Sequence, residues 1–94
     1  FYFCGHSLGG AMATICAARA RGPMLRCKPR ELFTYGSPRV GCKQYIRSFE
    51  LNYYRFVNNN DIVTRIPPAW MGYQHSGQEV YFNRNGDIKQ YSYL

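Results

Sequence analysis

The chain of 94 residues is long enough for one small domain and too short for several. Its hydrophobic content of 46% and aromatic content of 17% exclude an intrinsically disordered chain. Its net charge of +7 leaves the class of partner open, because a charge sum alone identifies neither a lipid surface nor a nucleic acid. No nucleic-acid-binding motif and no apolar run of about 18 residues occurs, so we expect no nucleic-acid partner and no stable membrane insertion.

The first predicted elements are a buried strand and a helix separated by a sharp turn. The strand covers residues 1–4, the turn carries the sequence GHSLGG at positions 5–10, and the helix covers residues 8–20. This order of strand, turn and helix is the structural context that the G-x-S-x-G nucleophile elbow requires. The pattern therefore predicts a serine nucleophile, and the alternative is a glycine-rich connection with a solvated serine.

Within the predicted elbow, each residue type has a physical reason. Ser7 is expected at the tip of a strained turn, with its hydroxyl exposed. Gly5 and Gly9 are expected to keep side chains out of the close approach between strand and helix. The backbone N–H of Leu8 lies at the positive end of the helix dipole, which makes it the predicted oxyanion-hole donor.

The rest of the chain predicts an α/β fold. The predicted elements are a basic loop at 24–30, a strand at 31–35, a helix at 42–50 with Tyr45, Ile46 and Phe49 on one face, a strand at 53–57, a loop to about residue 72, and a hairpin of strands 78–82 and 88–93. Strands that alternate with helices indicate a mostly parallel sheet flanked by helices, here with a C-terminal β-hairpin.

Five basic residues form a cluster that follows the first helix. They either form a solvated loop or attract an anionic surface such as a layer of lipid head groups. The cluster consists of Arg19, Arg21, Arg26, Lys28 and Arg30.

The four cysteines predict no metal site, since their spacing to one another and to histidine does not suit zinc. Cys4 and Cys16 fall on apparent core faces and are predicted to be small buried apolar residues. A disulfide between Cys27 and Cys42 is left open, so the cysteines do not indicate a compartment. No metal and no organic cofactor is predicted.

The acid of a catalytic triad can be chosen by elimination among five carboxylates. Glu31 opens a strand, Glu50 ends a helix, Glu79 lies within a late strand and Asp87 lies in a hairpin turn. Only Asp61 follows the carboxyl end of a parallel-type strand, the edge at which the site residues of such sheets gather. Asp61 is therefore the predicted acid, and the alternative is a turn residue that makes a local Asx hydrogen bond.

The base cannot be assigned from the residues alone. His6 adjoins Ser7, and the side chains of neighbouring residues point apart there. His75 follows Asp61 in the chain, as the order Ser, Asp, His of α/β-hydrolases requires, but it precedes a strand instead of following one. His75 is thus either the base or a hydrogen-bonded structural residue.

Four linked motifs resemble the fungal-type, class 3 lipases in order and spacing. They are GHSLGGA at 5–11, TYGSPRVG at 34–41, VNNNDIVTRIPP at 57–68 and GYQHSGQEVY at 72–81. The resemblance covers nearly the whole chain. It implies an α/β-hydrolase fold and hydrolysis of ester bonds in triacylglycerols or related lipids, with Ser7 as nucleophile and Asp61 as acid.

The resemblance also implies where the missing parts of the site lie. In this family a histidine in the H-x-G-x-E pattern, matched here by His75, is not the triad base, which comes later, beyond residue 94. The lid helix and the second oxyanion donor lie upstream of the elbow. Residues 1–94 are therefore expected to be the central part of one lipase-type domain, truncated at both ends and inactive alone. The expected partner is a lipid ester, met at a lipid–water interface.

The sequence leaves two other functions open. A different serine acyl hydrolase, such as a phospholipase, thioesterase or feruloyl esterase, uses the same elbow. A non-catalytic protein that binds lipid surfaces through the basic loop and exposed aromatic residues such as Trp70 belongs to another class. The sequence indicates neither the acyl preference nor the compartment.

Overall fold

The computed structural model describes residues 2–20, 30–47 and 52–93 of the chain. The main elements alternate between strands and helices, as predicted. They are β1 (Tyr2–His6), α1 (Leu8–Ala20), β2 (Glu31–Tyr35), β3 (Gly41–Cys42), α2 (Lys43–Arg47), β4 (Asn52–Asn58), the 3-10 helices Ile62–Arg65 and Ala69–Met71, β5 (Tyr73–Gln74), β6 (Gly77–Phe82) and β7 (Ile88–Tyr93).

Five strands form one sheet in the order β1-β2-β4-β6-β7. β1, β2, β4 and β6 run parallel, and β7 returns antiparallel to β6. The turn between β6 and β7 is closed by Asn83, whose side-chain oxygen accepts from the N–H groups of Asn85 and Asp87 at 2.9 Å each. This arrangement confirms the mostly parallel sheet with a C-terminal hairpin. The short strands β3 and β5 pair with each other in a separate antiparallel sheet, which the sequence did not predict.

The helix α1 packs on one face of the sheet through small side chains. Ala13 and Ala17 contact Leu32 of β2 and Tyr53 of β4 in one buried cluster. Alanine favours the helix and lets its axis approach the sheet closely. The approach is close enough for a buried hydrogen-bond group, in which Thr14 Oγ1 lies 3.3 Å from the Tyr53 hydroxyl.

Aromatic side chains line the opposite face of the sheet. Because side chains alternate along a strand, the neighbours of Leu32 and Tyr53 point away from α1. Phe33 stacks on Tyr54 at 5.4 Å between ring centroids, and Tyr35 stacks on Phe56 at 4.9 Å. Phe82 of β6 extends the row. We call these five residues the aromatic face.

The predicted burial of two cysteines was wrong. Cys4 pairs in register with Phe33, so its side chain lies on the aromatic face and not under α1. Cys16 lies on the outer side of α1, between the buried positions Ala13 and Ala17. Both are exposed free thiols, and Cys42 is also free and exposed. Cys27, with which the sequence left a disulfide to Cys42 open, lies outside the described residues.

Two further predictions were partly outside the described residues. The helix predicted at 42–50 is observed as α2 at Lys43–Arg47, where Ile46 is buried but Tyr45 is exposed, and Phe49 is not described. Arg19 and Arg30 of the basic cluster are exposed, whereas Arg21, Arg26 and Lys28 lie outside the described residues. No helix in the described part of the chain is long and apolar enough to cross a membrane.

Candidate active site

Ser7 occupies a strained turn between β1 and α1. Its φ of 56° lies in the left-handed region, which a residue with a side chain seldom adopts. The turn is held by hydrogen bonds on both sides, from Ser7 N–H to the Tyr35 carbonyl at 2.9 Å and from Gly10 N–H to the Ser7 carbonyl at 2.9 Å. The geometry is the strained strand–turn–helix arrangement that the predicted elbow requires, and the surrounding structure maintains the strain.

The glycines around Ser7 do not all have the predicted role. A Cβ at Gly5 would collide with the Gly9 carbonyl group, so Gly5 permits the close approach of β1 and α1 as predicted. A Cβ at Gly9 would meet nothing within 4 Å, so its predicted steric role was wrong. Gly10 has that role instead, because a Cβ there would lie 2.7 Å from Ser37 Cβ.

Leu8 is the first residue of α1. The N–H groups of the first helical turn have no partner within the helix. They point outward from its N-terminus, which carries the positive end of the helix dipole. The Leu8 N–H therefore belongs to the set of donors that surround the Ser7 turn. The Leu8 side chain is 68% exposed, which adds an apolar surface beside the elbow.

Asp61 follows β4 in a tight turn. Its N–H donates to the Asn58 carbonyl at 2.9 Å, and its Oδ1 accepts from Val63 N–H at 3.0 Å. The local Asx hydrogen bond that the sequence left as an alternative is therefore present. The other carboxylate oxygen, Oδ2, faces Gly36, where a Cβ would lie only 2.5 Å from it. One oxygen orients the side chain and the second points toward the end of β2.

Ser7 and Asp61 lie at the same edge of the sheet. The register aligns His6 with Tyr35 and Tyr35 with Phe56, so β1, β2 and β4 end together. Two contacts connect the ends of these strands. Ser7 N–H donates to the Tyr35 carbonyl at the end of β2, and Gly36, which follows Tyr35, lies against the Asp61 carboxylate. A nucleophile and a carboxylate at the carboxyl ends of two parallel strands with one strand between them, here β1 and β4, can be served by one imidazole.

The backbone of His75 lies before the amino end of β6, and its side chain contacts the segment that follows Asp61. Since β6 runs parallel to β4, this end is opposite to the edge that carries Ser7. The His75 Nε2 atom is 2.6 Å from the Thr64 carbonyl oxygen. A carbonyl oxygen only accepts, so Nε2 carries the proton and donates.

The environment of His75 also keeps its ring neutral. Burial, and then the positive charges of Arg55 and Arg39, lower the pKa of His75 from 6.5 to about 3, although the bond to Thr64 acts in the opposite direction. A general base works best with a pKa near the working pH and with a free nitrogen beside the nucleophile. The geometry favours a structural role for His75.

The other carboxylates lie away from Ser7 or outside the described residues. Glu31 starts β2 at the opposite edge, Asp87 lies in the turn after β6, and Glu50 is not described. Glu79 of β6 forms an ion pair with Arg55, with 3.5 Å between Oε1 and Nη2. Among the described carboxylates, Asp61 is thus the one whose position agrees with the choice of acid made from the sequence.

The sequence of a known family matches the segment that carries these residues. The sequence model of the family described as Lipase (class 3) matches residues 1–71. This chain belongs to the class 3 lipase family. The family resemblance stated from the four motifs is confirmed.

Individual relatives are similar to this chain over most of its length. Toxin TseL from Vibrio cholerae serotype O1 is 45% identical over 76% of the chain, which corresponds to 11% of that protein. Secreted mono- and diacylglycerol lipase 1 from Fusarium solani is 38% identical over 98% of the chain and 28% of its own length. The crystal structure of a lipase from Rhizopus microsporus var. chinensis superimposes with a TM-score of 0.84 at 32% identity, over 97% of this chain and 34% of its own. The chain thus spans between about a tenth and about a third of these proteins' lengths.

The solved lipase structures to which the chain is similar confirm the predicted fold class, an α/β-hydrolase fold with a mostly parallel sheet. In residues 2–20, 30–47 and 52–93, no group of three or more His, Cys, Asp or Glu side chains could hold a metal ion.

Sequence reasoning missed two arginines of this lipase segment. Arg55 is 1% exposed in the middle of β4, where its Nε donates to the Ser76 carbonyl at 2.9 Å. The signal was a lone charge within the apolar run of the strand. Arg39 follows β2, and its Nη1 donates to the Arg65 and Pro67 carbonyls at 2.7 and 3.1 Å. Nothing local in the sequence predicts that contact, because its partners are 26 and 28 residues away.

Proposed function

We propose that this chain is the central part of a serine carboxylic-ester hydrolase domain that acts on lipid esters such as triacylglycerols. Ser7 is the nucleophile and Asp61 the acid of its catalytic triad. The histidine comes from a segment beyond residue 94, as the family resemblance implies. The observation that carries the proposal is the strained Ser7 turn, with its φ of 56°, at the edge that Asp61 shares.

The proposed reaction is an acyl transfer in two steps. The triad histidine takes the proton of the Ser7 hydroxyl while Oγ attacks the ester carbonyl carbon, and the C–O bond to the alcohol then breaks as the imidazolium returns the proton to the leaving oxygen. Asp61 stabilises the imidazolium. The Leu8 N–H donates to the oxyanion of the tetrahedral intermediate, and one such donor contributes about 3 kcal/mol. Water then attacks the acyl-enzyme, releases the fatty acid and restores Ser7.

The surface beside the proposed nucleophile suits an apolar substrate. Leu8, next to Ser7, is 68% exposed, and Ile62, next to Asp61, is 73% exposed. Both flank the edge at which the ester would react. Apolar side chains beside the reacting ester favour substrates with apolar acyl chains over polar substrates. They also support a site that works at a lipid–water interface.

Ester hydrolysis measured in the complete protein tests this proposal. We expect Ser7→Ala to lower kcat by about 10⁴-fold or more, because the residual activity of a site without its nucleophile comes from binding and the oxyanion hole. Ser92→Ala is the matched control, since Ser92 lies on β7, at the other end of the sheet from β1. We expect the control to retain full activity.

Covalent labelling gives a second measurement of the same proposal. A serine-directed phosphonate should modify Ser7 in the complete protein and fail to modify the Ser7→Ala variant. Full activity of Ser7→Ala would contradict the proposal. Liposome binding that is unaffected by this substitution, without any labelling, would favour the lipid-surface binding protein instead. A preference for phospholipid, thioester or feruloyl substrates would assign the chain to another group of serine acyl hydrolases.

A further inference from the structure

Four consecutive carbonyl groups, those of residues 64–67 after Asp61, all accept hydrogen bonds from two residues, His75 and Arg39. His75 Nε2 donates to the Thr64 carbonyl at 2.6 Å. Arg39 holds the next three: its Nη1 donates to Arg65 at 2.7 Å and to Pro67 at 3.1 Å, and its backbone N–H donates to Ile66 at 2.8 Å. A loop whose successive carbonyls are bonded to residues from other parts of the fold has little freedom to shift.

This held segment is connected directly to Asp61. Thr64 Oγ1 donates to the Asp61 carbonyl at 2.8 Å, and Val63 N–H donates to Asp61 Oδ1 at 3.0 Å. The carboxylate orientation therefore depends on where the 3-10 helix Ile62–Arg65 lies. If that helix shifts, the oxygen that faces Gly36 shifts with it.

The side chains that hold the segment are suited to permanent contacts. The His75 ring is neutral over the usual working range of pH, because burial and the charges of Arg55 and Arg39 hold its pKa near 3. Its Nε2–H is therefore a constant donor. Arg39 keeps its charge at any working pH, and its planar guanidinium can donate to two carbonyl groups at once.

We propose that His75 and Arg39 are positioning residues that fix the Asp61 carboxylate for catalysis by holding the carbonyl groups of residues 64–67. This inference rests on the proposed function, in which Asp61 is the triad acid. It gives His75 a role through the segment that orients the acid, and it assigns no proton transfer to His75.

Steady-state kinetics and pH profiles of the complete protein test the inference. Active sites are titrated with a serine-directed phosphonate, so that rates refer to folded enzyme only. We expect His75→Leu to lower kcat by about 10- to 100-fold with KM nearly unchanged, because small displacements of a catalytic group cost rate and not ground-state binding. The acid limb of kcat/KM should move to lower pH, since a displaced carboxylate no longer raises the pKa of the triad histidine.

Conservative replacement distinguishes positioning from catalysis by His75. Gln retains an N–H donor at about the place of Nε2, so His75→Gln should recover most of the rate and the original pH limb. Gln cannot act as a general base. A loss of several decades in kcat in both His75→Leu and His75→Gln would therefore overturn the inference. Unchanged kinetics and pH limb in His75→Leu would also overturn it.

Arg39 provides an independent arm if His75→Leu yields no titratable enzyme. Arg39→Met should show the same loss of kcat and the same shift of the acid limb, whereas Arg84→Met, in the exposed turn after β6, should leave both unchanged. An Arg39→Met enzyme with normal kinetics would contradict the inference. The variant Asp61→Asn separates the two proposals: if it is fully active the proposed function fails, and if it is inactive while the positioning variants are normal, only the positioning role fails.

Discussion

At the scale of single residues, the glycines of the elbow differ in what surrounds them. A Cβ at Gly5 would collide with the backbone carbonyl of Gly9, whereas a Cβ at Gly9 would meet open space. We expect Gly5→Ala to destabilise the complete protein by roughly 3 kcal/mol, because backbone atoms of β1 and α1 would have to move apart. We expect Gly9→Ala to be neutral or to stabilise it by no more than about 0.5 kcal/mol, since the added Cβ meets open space and position 9 lies in the first turn of α1.

Urea unfolding midpoints of the two alanine variants measure this difference. The two substitutions have the same chemistry and lie four residues apart, so each serves as the control for the other. Equal effects of Gly5→Ala and Gly9→Ala on the free energy of unfolding would contradict the steric account of the elbow.

Single residues also mark the limit of what the sequence could predict. The positions of Ser7 and Asp61 followed from a motif and from the rule that parallel strands end together. The bond from His75 to Thr64 and the bonds from Arg39 to residues 65–67 depend on how the loop after β4 folds back. Hydrogen bonds between residues 11 to 28 positions apart leave no periodic pattern in a sequence, so only the structure reveals them.

At the scale of secondary-structure elements, one buried ion pair connects β4 to β6. Arg55 and Glu79 face each other in the register of the two strands, with side chains 2% and 18% exposed. Removing one partner leaves a buried charge without its counterion, which costs about 3 kcal/mol or more. We expect Glu79→Gln to lower the free energy of unfolding by that amount.

The matched control for the ion pair is Asp87→Asn, in the exposed turn between β6 and β7, which should change the free energy of unfolding by no more than about 0.5 kcal/mol. A double substitution of Arg55 to Met and Glu79 to Leu should be less destabilising than Glu79→Gln, because no charge is then buried. A Glu79→Gln variant as stable as the control would show that the pair contributes nothing.

The elements themselves were largely predictable, and the exceptions have physical reasons. α1, β2, β6 and β7 were placed within about one residue because their periodicity and turn signals are strong. β3 and β5 have two residues each, too few for any pattern. Alternation separated the two faces of β1 but did not indicate which face α1 covers, and for that reason Cys4 was assigned to the wrong side.

At the scale of the whole molecule, the sheet separates two surfaces of different character. One face is closed by α1 over a core of small and aromatic side chains. The other is the aromatic face, on which Tyr35 remains 44% exposed. The site lies between them, at the edge where the parallel strands end, and this common edge brings residues 54 positions apart in the sequence, Ser7 and Asp61, into one neighbourhood.

His75 couples the stability of the whole molecule to pH. Burial and the charges of Arg55 and Arg39 give it a folded-state pKa of about 3, well below its ordinary value of 6.5. The unfolded chain therefore binds this proton more strongly, so the contribution of His75 to stability is complete above pH 6.5 and is lost as the pH falls from 6.5 toward 3. Between about pH 7.5 and about pH 5 we expect a loss of roughly 2 kcal/mol in the free energy of unfolding. Urea unfolding of the complete protein and of His75→Gln at both pH values isolates this contribution, because Gln does not titrate while the other groups are the same. A loss of the same size in both proteins would show that His75 is not its source.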